Sequence, residues 1–173
     1  MPLQLLRQFF MLSLLRIGPQ DLPAGRGPLA IATAFYAVVG LLIVTSVEAG
    51  IETDTHPVVE VALELLMLAG FIGLWVWIRE VPNRFGQTLT GAYGVNGMLS
   101  LIAWPLLMAS PATEQVDQVQ AGPVEFLILG VMLWNLMALG NVFRHAFNVP
   151  LAIGFLLGFV YFLLAGFVIT FLL

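Results

Sequence analysis

The sequence predicts an all-α, polytopic membrane protein with five transmembrane helices preceded by a short interfacial amphipathic helix. Three observations predict it. Of 173 residues, 60% are hydrophobic and only 9% charged, with a mean hydropathy of +1.00, far from the usage of soluble domains. Apolar stretches recur at about 29–49, 57–78, 88–109, 123–143 and 149–173. Each is close to the ~20 residues that cross ~30 Å of hydrocarbon. The connectors between them are short, so consecutive helices are expected to run as antiparallel neighbours. No polar block is long enough to fold separately, and 1–173 reads as a single membrane domain.

Composition also excludes several chemistries. There is no Cys, hence no disulfide, thiolate metal site or thiol nucleophile. All basic residues are Arg (7, 16, 26, 79, 84 and 144), too few and too dispersed for a nucleic-acid groove. The chain contains no HExxH, GxSxG or Walker loop. His56 and Glu60 are separated by Pro57, which begins a new element and spoils the helical spacing a metal hydrolase needs. A non-enzymatic protein without cofactor or metal is expected.

In chain order, residues 2–17 (PLQLLRQFFMLSLLRI) are apolar but interrupted by Gln4, Arg7, Gln8 and Arg16, too short and too charged to span. They read as an interfacial helix. The start lacks a basic n-region and a small-x-small cleavage site, so no signal peptide is expected. The Gly/Pro connector from Gly18 to Pro28 ends that helix and redirects the chain.

Every Arg precedes the first span or lies in the connectors after the second and fourth, which puts all six on one side. By the positive-inside rule that side is cytoplasmic, with the N-terminus inside and Leu173 outside. The second span, Pro57 to Arg79, is expected at the centre of the bundle. Ala62, Ala69 and Gly73 fall in line on one face, where small residues admit a neighbouring backbone. Glu60 and Glu64 point the other way, and a carboxylate in hydrocarbon costs roughly 2.5 to 3.5 kcal/mol on insertion scales.

Antiparallel packing would bring Glu48, His56, Glu60, Glu64 and Glu125 to the same outer level, forming a candidate polar pocket for protons or cations. The alternative is that Glu48, Glu60 and Glu125 are simply solvated at the headgroups, with Glu64 protonated and hydrogen-bonded to a neighbour. Asn96 and Asn135 lie well inside spans three and four, where an amide is expected to join neighbouring helices or line a substrate path. Asn141, Arg144 and His145 close the cytoplasmic end of span four, where positive charge suits a helix C-terminus. Trp75, Trp77 and Trp104 read as anchors or packing residues. Span five carries Gly154-x-x-x-Gly158, a close-approach pattern.

Span three is unusual: Gly91, Gly94 and Gly97 surround Tyr93 and Asn96, and Pro105 follows Trp104. A bilayer tolerates these where neighbours pack on them or a kink is wanted. The stretch from Gly91 to Pro105 resembles the third span of the Yip-domain family, in which a Tyr-Gly-x-Ser segment is followed several residues later by Pro. Tyr93, Gly94 and Pro105 match, and Asn96 stands where Ser is commoner. Leu14 to Pro19 is similar to the short helix and Gly/Pro break before the first span of that family. The resemblance implies five spans, a cytoplasmic N-terminus and a C-terminus on the far side. For eukaryotic members it implies trafficking scaffolds that meet small GTPases through a long N-terminal arm, in place of which this chain has under thirty residues. A bacterial-type member would act in the envelope.

Two functions follow as expectations. One is a membrane adaptor or accessory subunit that binds a membrane-protein partner, or a second copy of itself, or organises the bilayer. The other is a small proton- or cation-linked transporter or channel using the acidic pocket.

Overall fold

A computed structural model describes residues 2–47, 56–110 and 122–172. Among them the chain forms α1 (Pro2–Ser13), α2 (Arg26–Val47), α3 (Pro57–Ile78), α4 (Phe85–Ala109), α5 (Pro123–Phe147) and α6 (Leu151–Leu172), with 3-10 turns at Pro19–Asp21 and Pro82–Arg84 and no strand. The all-α polytopic class is the one expected. Helices α2 to α6 are each long and apolar enough to cross a bilayer. At ~1.5 Å per residue their 22 to 25 residues reach about 33 to 38 Å.

Their ends follow local chemistry. Pro57 and Pro123 occupy first-turn positions, where a missing N–H costs nothing. Helix α5 runs past the expected end at 143 to Phe147, since Arg144 and His145 suit a helix C-terminus; it closes on Asn148 in the left-handed region, φ 51°. Helix α1 is shorter than expected, ending at Ser13. Leu15 turns left-handed at φ 60°, and the Arg16 N–H donates back to the Met11 carbonyl.

The bundle is centred on α4, which corrects the expectation that the second span, α3, is central. Every residue from Thr88 to Gly97 is buried, and α4 packs against α1, α2, α3 and α5. The reason is the glycines set into this stretch between larger residues such as Leu89 and Tyr93. A Cβ at Gly94 would overlap the Phe9 ring, one at Gly97 would lie 2.8 Å from the Phe35 ring, and one at Gly91 would lie 3.2 Å from Leu12. Glycine thus admits α1 and α2 to the axis of α4. On α3 the line of small residues does no such work: Ala62 is exposed, and a Cβ at Gly73 would meet only the Phe85 side chain at 3.6 Å. Consecutive helices are also not always closest neighbours, because α2 packs far more on α4 than on α3.

Helix α6 does approach α5 through the glycines noted in its sequence. A Cβ at Gly140 would lie 2.8 Å from the Phe155 Cα, one at Gly154 would overlap the Gly140 carbonyl, and one at Gly158 would lie 3.3 Å from Leu136. Most of the remaining surface of α6 is exposed apolar side chain, from Leu151 to Phe171, as a lipid-facing helix requires.

Helix α1 lies against α4 and α5, burying Leu5, Phe9 and Leu12 at helical spacing while Leu3, Arg7 and Phe10 stay exposed. Its C-terminus and the break after it leave carbonyls without helical partners. Three side chains supply them: Trp134 Nε1 donates to the Ser13 carbonyl (2.7 Å), Asn141 Nδ2 to Ile17 (3.3 Å) and Gln87 Nε2 to Leu22 (3.0 Å).

Nearby, the α3–α4 connector latches onto the end of α5. Arg79 Nε donates to the Phe147 carbonyl at 3.2 Å, and Arg84 Nη1 meets the His145 and Ala146 carbonyls and Asn148 Oδ1, each at 3.1 Å. Arg79, Arg84 and Arg144 therefore share one end of the bundle with the α1 break.

Candidate functional site

Toward the opposite end, the helices part around a polar cleft of about 320 Å³. One wall comes from Glu64 of α3, seven residues or about 10 Å along its helix. Tyr36 of α2 stands beside it, and its hydroxyl donates to Glu64 Oε2 at 3.1 Å. Helix α4 contributes Asn96 and Ser100, α5 contributes Asn135, and α6 contributes Tyr161. The rest of the lining is apolar, with Leu99, Met132, Leu136, Leu139, Phe162 and Ile169 prominent.

The polar residues are held from behind. Tyr93 packs its ring against Tyr36, with centroids 5.7 Å apart, and donates its hydroxyl to the Leu65 carbonyl at 2.7 Å. That bond crosses from α4 to α3 one residue beyond Glu64 and fixes the height of the carboxyl group. Gly97 lets the α2 backbone in beside Tyr36, whose Cα would lie 3.4 Å from a Cβ there.

Asn96 is the exception in this arrangement. Among the described residues the buried polar side chains are Ser13, Thr88, Thr90, Asn96 and Asn141. Ser13, Thr88 and Thr90 donate to carbonyls one turn back, and Asn141 reaches Ile17. Asn96, only 6% exposed, has no side-chain hydrogen-bond partner among the described residues and borders the cleft. Asn135, also on the cleft, has none either. Neither amide joins two helices in the way the sequence suggested. Buried polar groups are nearly always paired, so an amide left open onto a cavity asks for something to fill it.

The cleft does not continue toward the arginine end. There Phe71, Trp75, Phe143, Phe147 and Tyr161 pack ring to ring: Phe71 lies 5.4 Å from Tyr161 and 5.6 Å from Phe143, and Phe143 lies 5.5 Å from Phe147. Leu68, Ile72 and Val142, all fully buried, complete the layer. No polar side chain threads this aromatic layer among its described members.

The outer acidic residues do not converge as the sequence suggested. Glu64 alone of that set lines the cleft. His56 is exposed and caps α3, its Nδ1 accepting from the Val58 N–H at 3.3 Å. Glu125 accepts from the Ser110 hydroxyl at 3.0 Å, joining the ends of α4 and α5. Glu60 is half-buried one turn from Glu64 but outside the cleft lining, and Glu48 lies outside the described residues. Helical geometry explains the dispersal, since equal depth in a bilayer says nothing about which way a side chain points around its axis.

The remaining candidates are structural in placement. Tyr93 and Gly94 are buried in the centre of α4, with Gly94 under the Phe9 ring, while Pro105 is exposed inside the last turns of that helix. At the arginine end Asn141 is buried, His145 half-buried and Arg144 exposed. Trp75 joins the aromatic layer and Trp77 faces outward. Among the described residues no group of three or more His, Cys, Asp or Glu is placed to hold a metal ion.

Sequence reasoning missed Tyr36, Ser100 and Tyr161 as cleft residues. A phenol inside an apolar span is a weak but real signal, because its hydroxyl must find an acceptor there. Set against known proteins, the chain matches no family model, no curated protein and no solved structure.

Proposed function

We propose that the protein is a non-enzymatic membrane protein that takes a small ligand into the cleft beside Glu64, as a carrier or receptor. The observation that carries this reading is Asn96, nine-tenths buried, bordering a cavity and unpaired among the described residues. Around it the lining mixes a broad apolar surface with a few convergent polar groups, the usual composition of a small-molecule site, and ~320 Å³ is at the lower end of the size range of such sites. Taking the arginine end as cytoplasmic, in a bacterial inner membrane, the cleft lies in the outer half of the bundle.

The test uses the absence of native Cys. Ser100→Cys puts a single thiol on the cleft, and Leu163→Cys puts one on the exposed face of α6. With methyl methanethiosulfonate, a small neutral thiol reagent, Ser100→Cys in liposomes is expected to react well ahead of Leu163→Cys. Equal, negligible rates at both positions would mean a dry, closed cleft and would end this reading.

A second reading keeps the adaptor or accessory-subunit role, of Yip-like type. It is supported by the aromatic layer, which leaves the cleft blind at the arginine end rather than part of a continuous path. A stoichiometric membrane-protein partner retained in mild detergent, together with an unreactive Ser100→Cys, favours it.

A further inference from the structure

We infer that the ligand is an amphipathic amine in its protonated form, one positive charge on an apolar body; this rests on the reading of the cleft as a ligand site.

Charge narrows the choice first. Among the described residues Glu64 supplies the only carboxyl group on the lining, and no Arg or His lines it. The chain has no Lys to add. An anionic ligand would face Glu64 without a countercharge, in surroundings where screening by water is weak. The same argument excludes a phospholipid headgroup, because its phosphate would find no basic partner. A cationic ligand reverses the sign of that term and offsets the cost of keeping a carboxylate away from water.

A bare metal ion fits poorly. Hard divalent cations gather six or more oxygens, several of them carboxylate, and here the described residues bring one carboxyl and two amides to the cleft. Glu64 Oε2 is moreover already engaged by Tyr36.

An ammonium group uses what is present. It carries N–H donors, and the acceptors on the cleft are Glu64 and the side-chain oxygens of Asn96 and Asn135, neither of which has another hydrogen bond among the described residues. Tyr36, Tyr161 and Phe162 place three aromatic rings on the same lining, which favours a cation over an isosteric neutral group. Leu99, Met132, Leu136, Leu139 and Ile169 offer the apolar body a wall of matching character.

Two measurements on Ser100→Cys test the assignment at pH 7. The first compares 2-aminoethyl methanethiosulfonate with its 2-sulfonatoethyl analogue, each rate normalised to that with a free thiol in solution. The cationic reagent is expected to be favoured by roughly tenfold or more, as one nearby charge in a poorly screened site implies. Glu64→Gln should bring the two toward parity and Glu64→Asp should keep them apart. The second measures protection by 2-phenylethylamine against 2-phenylethanol, which has nearly the same shape without the charge. Protection by the amine alone supports the inference, and this comparison decides even where Glu64→Gln fails to fold. Equal protection by both, or a charge preference unmoved by Glu64→Gln, overturns the amine and leaves the cleft a site for some other ligand. Failure of every reagent, the neutral methyl compound included, overturns the cleft itself.

Discussion

Asn96 and Gly94, two residues apart on α4, serve opposite ends. Gly94 exists for packing: the Phe9 ring occupies the space where a Cβ would be, and Phe9 is fully buried with no room to retreat. Gly94→Ala is therefore expected to destabilise the protein by about 1 to 3 kcal/mol, read from thermal unfolding in detergent, and Phe9→Leu in the same chain should recover part of it. Asn96 does the reverse. The Asn96 amide opens onto the cleft and, among the described residues, bonds no other helix, so Asn96→Leu is expected to change stability by no more than about 1 kcal/mol. The same change should weaken protection of Ser100→Cys by 2-phenylethylamine. A larger loss of stability on Asn96→Leu would show that the amide is satisfied and that the cleft has no need of an occupant. At this scale the sequence singled out residues that border the cleft more readily than it placed their neighbours. Asn96, Asn135 and Glu64 are conspicuous in any apolar run. Their partners depend on helix rotation, which one chain's periodicity leaves open when nearly every face is apolar.

Among the elements, α1 shows how much depends on distant side chains. Its anchors, Trp134 and Asn141, both come from α5. Trp134→Phe keeps a six-membered aromatic ring but removes the pyrrole half with its N–H, leaving the Ser13 carbonyl unpaired in a buried setting at a cost of about 1 to 3 kcal/mol. Faster amide exchange across residues 14–22, with α4 and α5 unaffected, is the expected signature. Protection unchanged across that segment would mean that water replaces the indole. The spans themselves were legible because hydropathy is counted locally, residue by residue. The boundary of α5 was missed by a turn because the apolar stretch stops at residue 143, whereas the helix continues through Arg144 and His145, whose charge suits its C-terminus, to Phe147. The docking of α1 on α4 was hidden for another reason: Gly94 advertises a close approach but not the identity of the approaching side chain.

For the molecule as a whole, the contrast between the cleft and the packed aromatic layer at the arginine end bears on whether a continuous path exists. Liposomes containing the protein are expected to carry no steady ionic current, since Phe71, Phe143 and Phe147 occupy the route to the arginine end. Sustained single-channel currents in planar bilayers would contradict that arrangement. Movement of a ligand across would need the layer to repack, so any flux should be slow, saturable and sensitive to Phe143→Ala. The central position of α4 was the largest departure from expectation at this scale. Alignment of small residues on one face identified α3, whereas the deciding feature was the set Gly91, Gly94 and Gly97 on α4, which admits side chains of α1 and α2.

The anchoring of α1 by α5 also sets an order of events during synthesis. Residues 2–13 leave the ribosome before any of the five spans, yet the groups that hold their C-terminus sit more than a hundred positions later, at Trp134 and Asn141. Until α4 and α5 have been inserted, the buried stripe of Leu5, Phe9 and Leu12 has only the membrane surface and the Phe35 ring of α2 to rest on. This helix is thus made ahead of the spans but is among the last elements to reach its place, and a nascent chain halted before residue 134 carries it without those anchors.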